Sequence, residues 1–500
     1  MKLYNTLSRK IEEFVPNEKG IVKLYTCGPT VYHYAHIGNI RNYIGHDILD
    51  KTLRYLGYDV TRAMNITDVG HLTSDSDSGE DKMEVARKRE HKSSMEIAKF
   101  YTDAFFKDFS LVNCRMPEIV SPATDNIDMY IKIISKLLDK GYAYISGGNV
   151  YFDISKLNDY YVLTNHQEDD LVVGARDGVE EDSNKRNQAD FALWFTTSKF
   201  ENHELLWASP WGLGYPGWHI ECSGISIKYL GEYLDIHGGG VDNIFPHHTN
   251  EIAQSESYLG HKWCNYWFHN EHLLDKSGKM SKSKGAILTV TTLKEKGYDP
   301  LAFRFMCLNS HYRKQLVFSY DALEQANNTL KKLRNKIKKF SSTDGVDNDK
   351  FRYYNDKFIC ELENDLNTAN AITVLYDLIK DDTVNGSTKL ELVKSFDKVL
   401  SLDLISEENF SEDIEDYIKE NKEEYYKTKK TLEDYLPDGD NRIDLYSLIP
   451  ILEEIVLLIN DETFNKEIEN YFKLIKYNKD TFEEEIEKIF QKKMDSKKRG

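Results

Sequence analysis

Ile21 to Cys27 (IVKLYTC) is a short run of β-branched and aromatic residues that stops at Gly-Pro, and from Ile40 to Leu56 apolar positions recur at helical spacing. The pattern predicts strand, turn and helix. YDVTRAMNI (58–66) predicts a second strand, and helical patterns follow over about 83–110 and 126–140. This alternation implies a parallel sheet with crossover helices. Residues 143–200 hold short alternating runs (GNVYFDI, DFALWFTT) around a polar, acidic stretch at 167–187, the pattern of an inserted subdomain with a surface loop. After Pro216 the alternation resumes: GWHIECSGISIKYL predicts a helix, YLDIH a strand, HHTNEIAQSESYL a helix and CNYWFHN a strand. From about residue 300 onward the pattern is helical almost throughout, and no internal repeat is present.

Five hundred residues exceed what one core holds, so two or three domains are expected. No apolar run reaches the roughly 18 residues needed to cross a bilayer, which excludes a membrane-spanning chain. The first residues, MKLYNTLSRKIEEF, lack the apolar core of a signal peptide, so a cytoplasmic protein with reduced thiols is expected. Six scattered cysteines do not make a disulfide scaffold. The net charge of −18 argues against a nucleic-acid partner until it is located, because residues 341–500 carry −16 and the first 340 residues only −2. A near-neutral body able to hold basic patches therefore precedes an acidic C-terminal part. The closing residues 492–500 are a basic tail of the kind that is usually solvated.

Two motifs carry phosphate chemistry. His36-Ile37-Gly38-Asn39 opens the helix after the first strand, where unpaired N–H groups, a close-approaching glycine and two polar side chains suit a phosphate. By itself this tetrapeptide reads sooner as an ordinary helix cap. Lys279-Met280-Ser281-Lys282-Ser283 lies in a polar segment, where lysines on a closing loop would neutralise charge building on departing pyrophosphate; the alternative is a solvated basic loop. In order and spacing the two motifs resemble the HIGH and KMSKS signatures of class I aminoacyl-tRNA synthetases. Within that class, CGPTVYHYAHIGN, MNITDVGH, PGWHIECS, DIHGGGVDNIFPHHTNEIAQS and KMSKSKG resemble cysteinyl-tRNA synthetases over about residues 1–340.

Cys27 ends the first strand, Cys222 lies in WHIEC, and His247 and Glu251 stand four apart in HHTNE, where a helix would bring them to one face. Two thiolates, an imidazole and a carboxylate suit zinc, although the spacing is not that of a compact finger and buried structural cysteines remain the alternative. The resemblance implies that these four positions bind one Zn2+ that receives the substrate's thiol. His247 is chosen over His248 because it alone is four residues from Glu251. Cys114, Cys264, Cys307 and Cys360 match no ligand position and are expected in the core. Cysteine and serine differ by one atom, which an apolar pocket discriminates by only about 1–3 kcal/mol. Coordination as a thiolate would reject serine without an editing domain. The resemblance further places Trp218, Thr67 and His237 near the amino acid, and Gly38, Asp242 and Lys282 near ATP, with Asp242 of HGGGVD on the ribose. The alternatives are a core aromatic for Trp218 and a surface turn for HGGGVD.

The fold class that follows is α/β: a class I Rossmann-type parallel-sheet catalytic domain with an inserted connective subdomain, then an all-α C-terminal region. The expected divisions are 1–120 and 215–299 for the catalytic halves, 121–214 for the insertion, 300–340 for a helical stem-contact region, and 341–500 for an acidic helical domain. The resemblance implies activation of L-cysteine by ATP with Mg2+, transfer to the 2′-hydroxyl of tRNA(Cys), and a monomer. His36, Asn39, Lys279 and Lys282 would stabilise transition-state charge. The small basic terminal module usual in the family is not recognisable, so anticodon contact by 341–500 stays open. Two competing functions are a ligase joining cysteine to a small amine, which would lack so long an extension, and a non-catalytic cysteine- or tRNA-binding paralogue, which would be free to lose the phosphate-handling lysines.

Overall fold

The computed structural model describes residues 1–69, 82–164, 182–196, 204–275, 278–279, 287–341 and 344–405. Lys282, the side chain of Lys279, most of the polar stretch at 167–187 and everything beyond 405 lie outside the described residues. Met1–Ile405 forms one compact unit. No described helix is long and apolar enough to cross a membrane.

Five parallel strands make the central sheet in the order Cys264–Asn270, Leu234–Gly240, Ile21–Thr26, Asp59–Ile66 and Ile119–Pro122. The strand Leu234–Gly240 is buried along its whole length, as a sheet covered on both faces requires. Helix α1 (Ile37–Tyr55) follows Ile21–Thr26, which a hairpin of Lys2–Asn5 and Lys10–Glu13 precedes in the chain. It begins with a reciprocal cap, the His36 side chain accepting from the Asn39 N–H and the Asn39 side chain accepting from the His36 N–H. The helical pattern over 83–110 resolves into two helices, α2 (Lys82–Glu90) and α3 (Ser94–Leu111). His91 takes a positive φ of 55°, and Ser93 with Glu96 forms a capping box that starts α3 afresh. That signature, Ser-x-x-Glu, stops the single helix that periodicity alone suggests. Helix α4 (Ile127–Asp139) precedes a second sheet, antiparallel, of strands within 143–216. Helices α5 (His219–Leu230) and α6 (Thr249–Leu259) flank the strand Leu234–Gly240 in the chain.

Helices α7 (Val290–Glu295), α8 (Pro300–Leu308), α9 (Tyr320–Ile337), α10 (Asn348–Glu363), α11 (Thr368–Lys380) and α12 (Gly386–Leu400) complete the unit. Their buried residues, including Phe303, Leu333, Phe358 and Phe396, share one core with Leu49 and Leu53 of α1. Cys114, Cys264 and Cys307 are buried, but Cys360 is exposed, which corrects its expected core position. The reason is helical phase: Phe358 and Leu362 turn inward on α10, and the residue midway between them faces out.

The sequence order of the sheet reverses between Ile21–Thr26 and Leu234–Gly240. Chain connections leave these two neighbours in opposite directions, and a crevice opens beyond their carboxyl ends. Cys27 and Asp242 sit at that point.

Candidate active site

The crevice is a cleft of about 270 Å3 lined by residues from both halves of the sheet, among them Cys27, His36, Gly38, Asn39, Thr67, Trp218, Cys222, Asp242 and His247. Nine expected site residues therefore share one cavity although 220 positions separate the outermost. Glu251 and His237 are fully buried beneath it. The backbone of Lys279 pairs with the strand Leu273–Asp275, whose first residue, Leu273, also lines the cleft.

At the floor, Cys27, Cys222, His247 and Glu251 present ligand atoms within 4.8 Å of one another. Cys27 Sγ lies 4.0 Å from Cys222 Sγ, Cys222 Sγ 3.5 Å from His247 Nε2, and His247 Nε2 3.1 Å from Glu251 Oε1. Glu251 Oε1 is buried without a hydrogen-bond partner. Two soft sulfurs, an imidazole nitrogen and an orphaned carboxylate oxygen fit a zinc ion. Burial pushes the Glu251 carboxyl up to about 8, and burial together with the neighbouring Cys27 and Glu251 pushes the Cys222 thiol well above its ordinary value. A cation among these atoms favours the ionised forms and reverses both shifts.

A second group of donors overlaps the first: Cys27, His237, His248 and Glu251 also lie within 4.8 Å. Cys27 Sγ is 3.3 Å from His248 Nε2, whereas His248 Nε2 is 3.9 Å from Glu251 Oε1, farther than the His247 contact. His248 Nδ1 is 2.8 Å from His269 Nε2, and His269 Nδ1 is 2.8 Å from Thr6 Oγ1. His237 Nε2 meets Glu251 Oε2 at 2.8 Å while its ring stacks on Trp267, so it orients the carboxylate from below and does not reach the cleft. Burial pulls His237 and His269 down to about 3 and His248 well below its ordinary value, which favours the neutral form of these three rings.

Sequence reasoning passed over the residues that hold the donors. His219 Nδ1 approaches His247 Nδ1 at 2.9 Å, which leaves Nε2 as the ring atom turned to Cys222 and Glu251. Its signal was present, since His219 stands three residues before Cys222 on one helix face. Glu221 accepts from Thr67 Oγ1 at 2.7 Å, fixing the hydroxyl that lines the cleft. Trp218 packs against His247 with ring centroids 4.4 Å apart. The glycine run has a packing role beside its openness. A Cβ on Gly239 would meet the His248 ring at 2.5 Å, and one on Gly238 would meet His46 at 3.0 Å. Gly38 is similarly constrained by the His36 ring at 2.9 Å.

A parallel sheet with its cleft at the switch point and a capped helix opening onto that cleft are the architecture of a class I aminoacyl-tRNA synthetase. The family described as tRNA synthetases class I (C) catalytic domain matches residues 13–328, and the DALR domain matches 357–402. A cysteine–tRNA ligase of Treponema denticola is 49% identical over 429 residues, covering 81% of this chain and 87% of the relative. One of Borreliella burgdorferi is 43% identical over 422 residues, with the same coverage of both chains. Among solved structures, a Mycobacterium tuberculosis methionyl-tRNA synthetase in complex with methionyl-adenylate has the same fold, with TM-score 0.53 at 14% identity over 76% of this chain and 90% of that one. An Agrobacterium radiobacter LeuRS–tRNA–LeuAMS complex gives TM-score 0.54 at 10% identity, covering 78% and 84%. The chain belongs to the cysteinyl-tRNA synthetase family, and its activity is the ATP-driven ligation of cysteine to tRNA. The amine-ligase and paralogue readings fall with that assignment.

Proposed function

We propose that Cys27, Cys222, His247 and Glu251 hold one zinc ion that selects cysteine, and that the remaining cleft residues position ATP for its activation. The convergence of these four donors within 4.8 Å at the cleft floor carries this reading. Zinc there would take the substrate's sulfur as a thiolate, which a serine hydroxyl cannot match at neutral pH. Thr67 and Trp218, both on the cleft wall, flank the amino acid. His237 acts through Glu251, not on the substrate.

On the phosphate side, the N-terminus of α1 offers its N–H groups and macrodipole to ATP. His36 and Asn39 already spend one side-chain atom each on the reciprocal cap. Their cap fixes the rings and amides that face the cleft, so the helix-cap and phosphate roles of this motif are compatible. Asp242, on the cleft wall beside Gly240, would accept from both ribose hydroxyls. Mg2+ would accompany the triphosphate. The cysteine carboxylate attacks the α-phosphorus, pyrophosphate leaves toward Lys279 and Lys282, and the 2′-hydroxyl of the terminal adenosine then takes the acyl group.

Lys282→Ala is expected to lower cysteine-dependent ATP–pyrophosphate exchange about a hundredfold while cysteine binding, measured calorimetrically, persists. Unchanged exchange would remove this lysine from the reaction.

The same reading places the body of the tRNA along 300–340 and takes the chain as a monomer. Lys331, Lys332, Lys336 and Lys339 are all exposed on or just beyond α9, a basic stripe in an acidic chain. Reversing two of them, Lys332→Glu with Lys336→Glu, is expected to make the salt dependence of kcat/KM for tRNA shallower by about one log–log unit per lost phosphate contact. Pyrophosphate exchange without tRNA should not change. An unaltered salt slope would leave the stripe merely solvated.

A further inference from the structure

An aromatic face adjoins the cleft and takes no part in the chemistry described above. Tyr32 and His33 line the cleft. The His33 ring stacks on Tyr101 at 5.8 Å, Tyr34 meets Tyr101 edge-on at 5.0 Å, and Phe100 lies 6.0 Å from Tyr34. The rings thus run from the cleft wall outward, and the outer two stay open to solvent, Tyr34 at 38% and Phe100 at 43%. Isolated exposed aromatics need no explanation, but two rings in contact and continuous with an active cleft form a surface.

The face is also held in place. Arg89 donates to the Tyr32 carbonyl at 3.2 Å and to the Tyr101 hydroxyl at 3.1 Å, tying the loop before α1 to α3. Glu90 pairs with Arg89 at 2.6 Å, so that guanidinium is a strut and not a free charge. The exposed cation is Lys92, whose Nζ lies 5.0 Å over the Phe100 ring. It belongs to the segment Lys82–Lys92, which has five Lys or Arg against two Glu in a chain of net −18.

We propose that Tyr34 and Phe100, with Lys92 beside them, are the platform on which the unpaired 3′ end of the tRNA stacks as it enters the cleft. The occupant follows from the established activity: a single strand must bring its terminal ribose to the activated cysteine. Base-on-ring stacking with a nearby cation is the general means of holding such a strand without reading its sequence. The proposal also rests on the cleft being the adenylation site, which pyrophosphate exchange tests separately.

Phe100→Ala and Tyr34→Ala should each lower kcat/KM for tRNA charging about tenfold and leave cysteine-dependent pyrophosphate exchange without tRNA unchanged. Phe100→Leu, which keeps apolar bulk without a ring, should behave as Phe100→Ala, and Phe100→Trp should retain charging. A tRNA lacking its unpaired 3′ nucleotides, used as a competitive inhibitor, should have the same inhibition constant against the parent enzyme and Phe100→Ala. Full charging by Phe100→Leu would overturn the proposal, because packing would then suffice. Equal weakening of the truncated tRNA would do the same by assigning the face to the duplex. Parallel loss of exchange would show that the rings only brace the loop carrying His36.

Discussion

Cys222→Ser is expected to leave the enzyme with only a trace of zinc after dialysis and to lower cysteine-dependent pyrophosphate exchange by about three orders of magnitude. The substitution keeps the size of the side chain and removes the soft donor. Cys222 is 1% exposed, and its sulfur stands between Cys27 and His247 at 4.0 and 3.5 Å. A serine oxygen stays protonated near neutral pH and offers neither the charge nor the polarisability that zinc takes from a thiolate. The loss corresponds to several kcal/mol, the scale on which a metal centre stabilises a bound reactant. Zinc content by elemental analysis is the primary readout because it does not depend on turnover. Cys360→Ser, at an exposed position, is the matched control and should retain both metal and activity. A zinc-replete, fully active Cys222→Ser protein would leave the four side chains as ordinary core residues and remove the basis for cysteine selection.

How far that centre could be read from the chain follows from what each signal encodes. Periodicity located four of the five parallel strands because runs such as Ile21–Thr26 are β-branched and aromatic and α1 carries apolar residues at helical spacing, whereas the short strand Ile119–Pro122 left no such run. The four-residue step from His247 to Glu251 anticipated the 3.1 Å contact, although His247 lies in a wide turn, Ile244–His248, ahead of the regular helix. Cys27 and Cys222 carry no such local spacing. Only the strand order, which reverses between Ile21–Thr26 and Leu234–Gly240, brings them together, and a reversal in strand order leaves no periodic trace. The same limit hid the supports. His269 reaches the site through His248, and its own partner Thr6 is 263 residues away in sequence. His91 broke a helix that periodicity joined, since a positive φ at a non-glycine residue has no apolar signature.

The glycines of HGGGVD illustrate a different gap, between a motif and its reason. Gly240 lines the cleft, where openness toward a nucleotide would suit it, but a side chain at Gly238 or Gly239 would meet His46 or His248. Any side chain at 239 must displace a ring that stands 3.3 Å from Cys27 Sγ. The run therefore couples the cleft wall at Gly240 to the donors beneath it through steric fit.

Arg304→Met should destabilise the described body by about 3–5 kcal/mol, the usual result of leaving a buried charge without its partner. Arg304 lies on α8 and Asp47 on α1; both are fully buried, and they meet at 2.7 Å. The same guanidinium donates to the carbonyls of Leu400 at 2.6 Å, Val399 at 3.3 Å and Val112 at 3.0 Å. One side chain thus joins the helix that opens at the cleft, the end of α3 and the last turn of α12. Lysine cannot reproduce this, because a single ammonium lacks the planar fork needed to reach carbonyls on two sides of a carboxylate. Arg304→Lys is accordingly expected to fall between the parent and Arg304→Met in a urea titration followed by circular dichroism. Where the protein remains folded, exchange should stay within about threefold of the parent, since Asp47 lies nearly three turns along α1 from the cap at His36. A loss in urea stability below about 1 kcal/mol would mean that Lys51, which meets Asp47 at 2.8 Å, already neutralises the carboxylate. The helices α10–α12 would then owe their place to the apolar core they share with α1, and not to this ion pair.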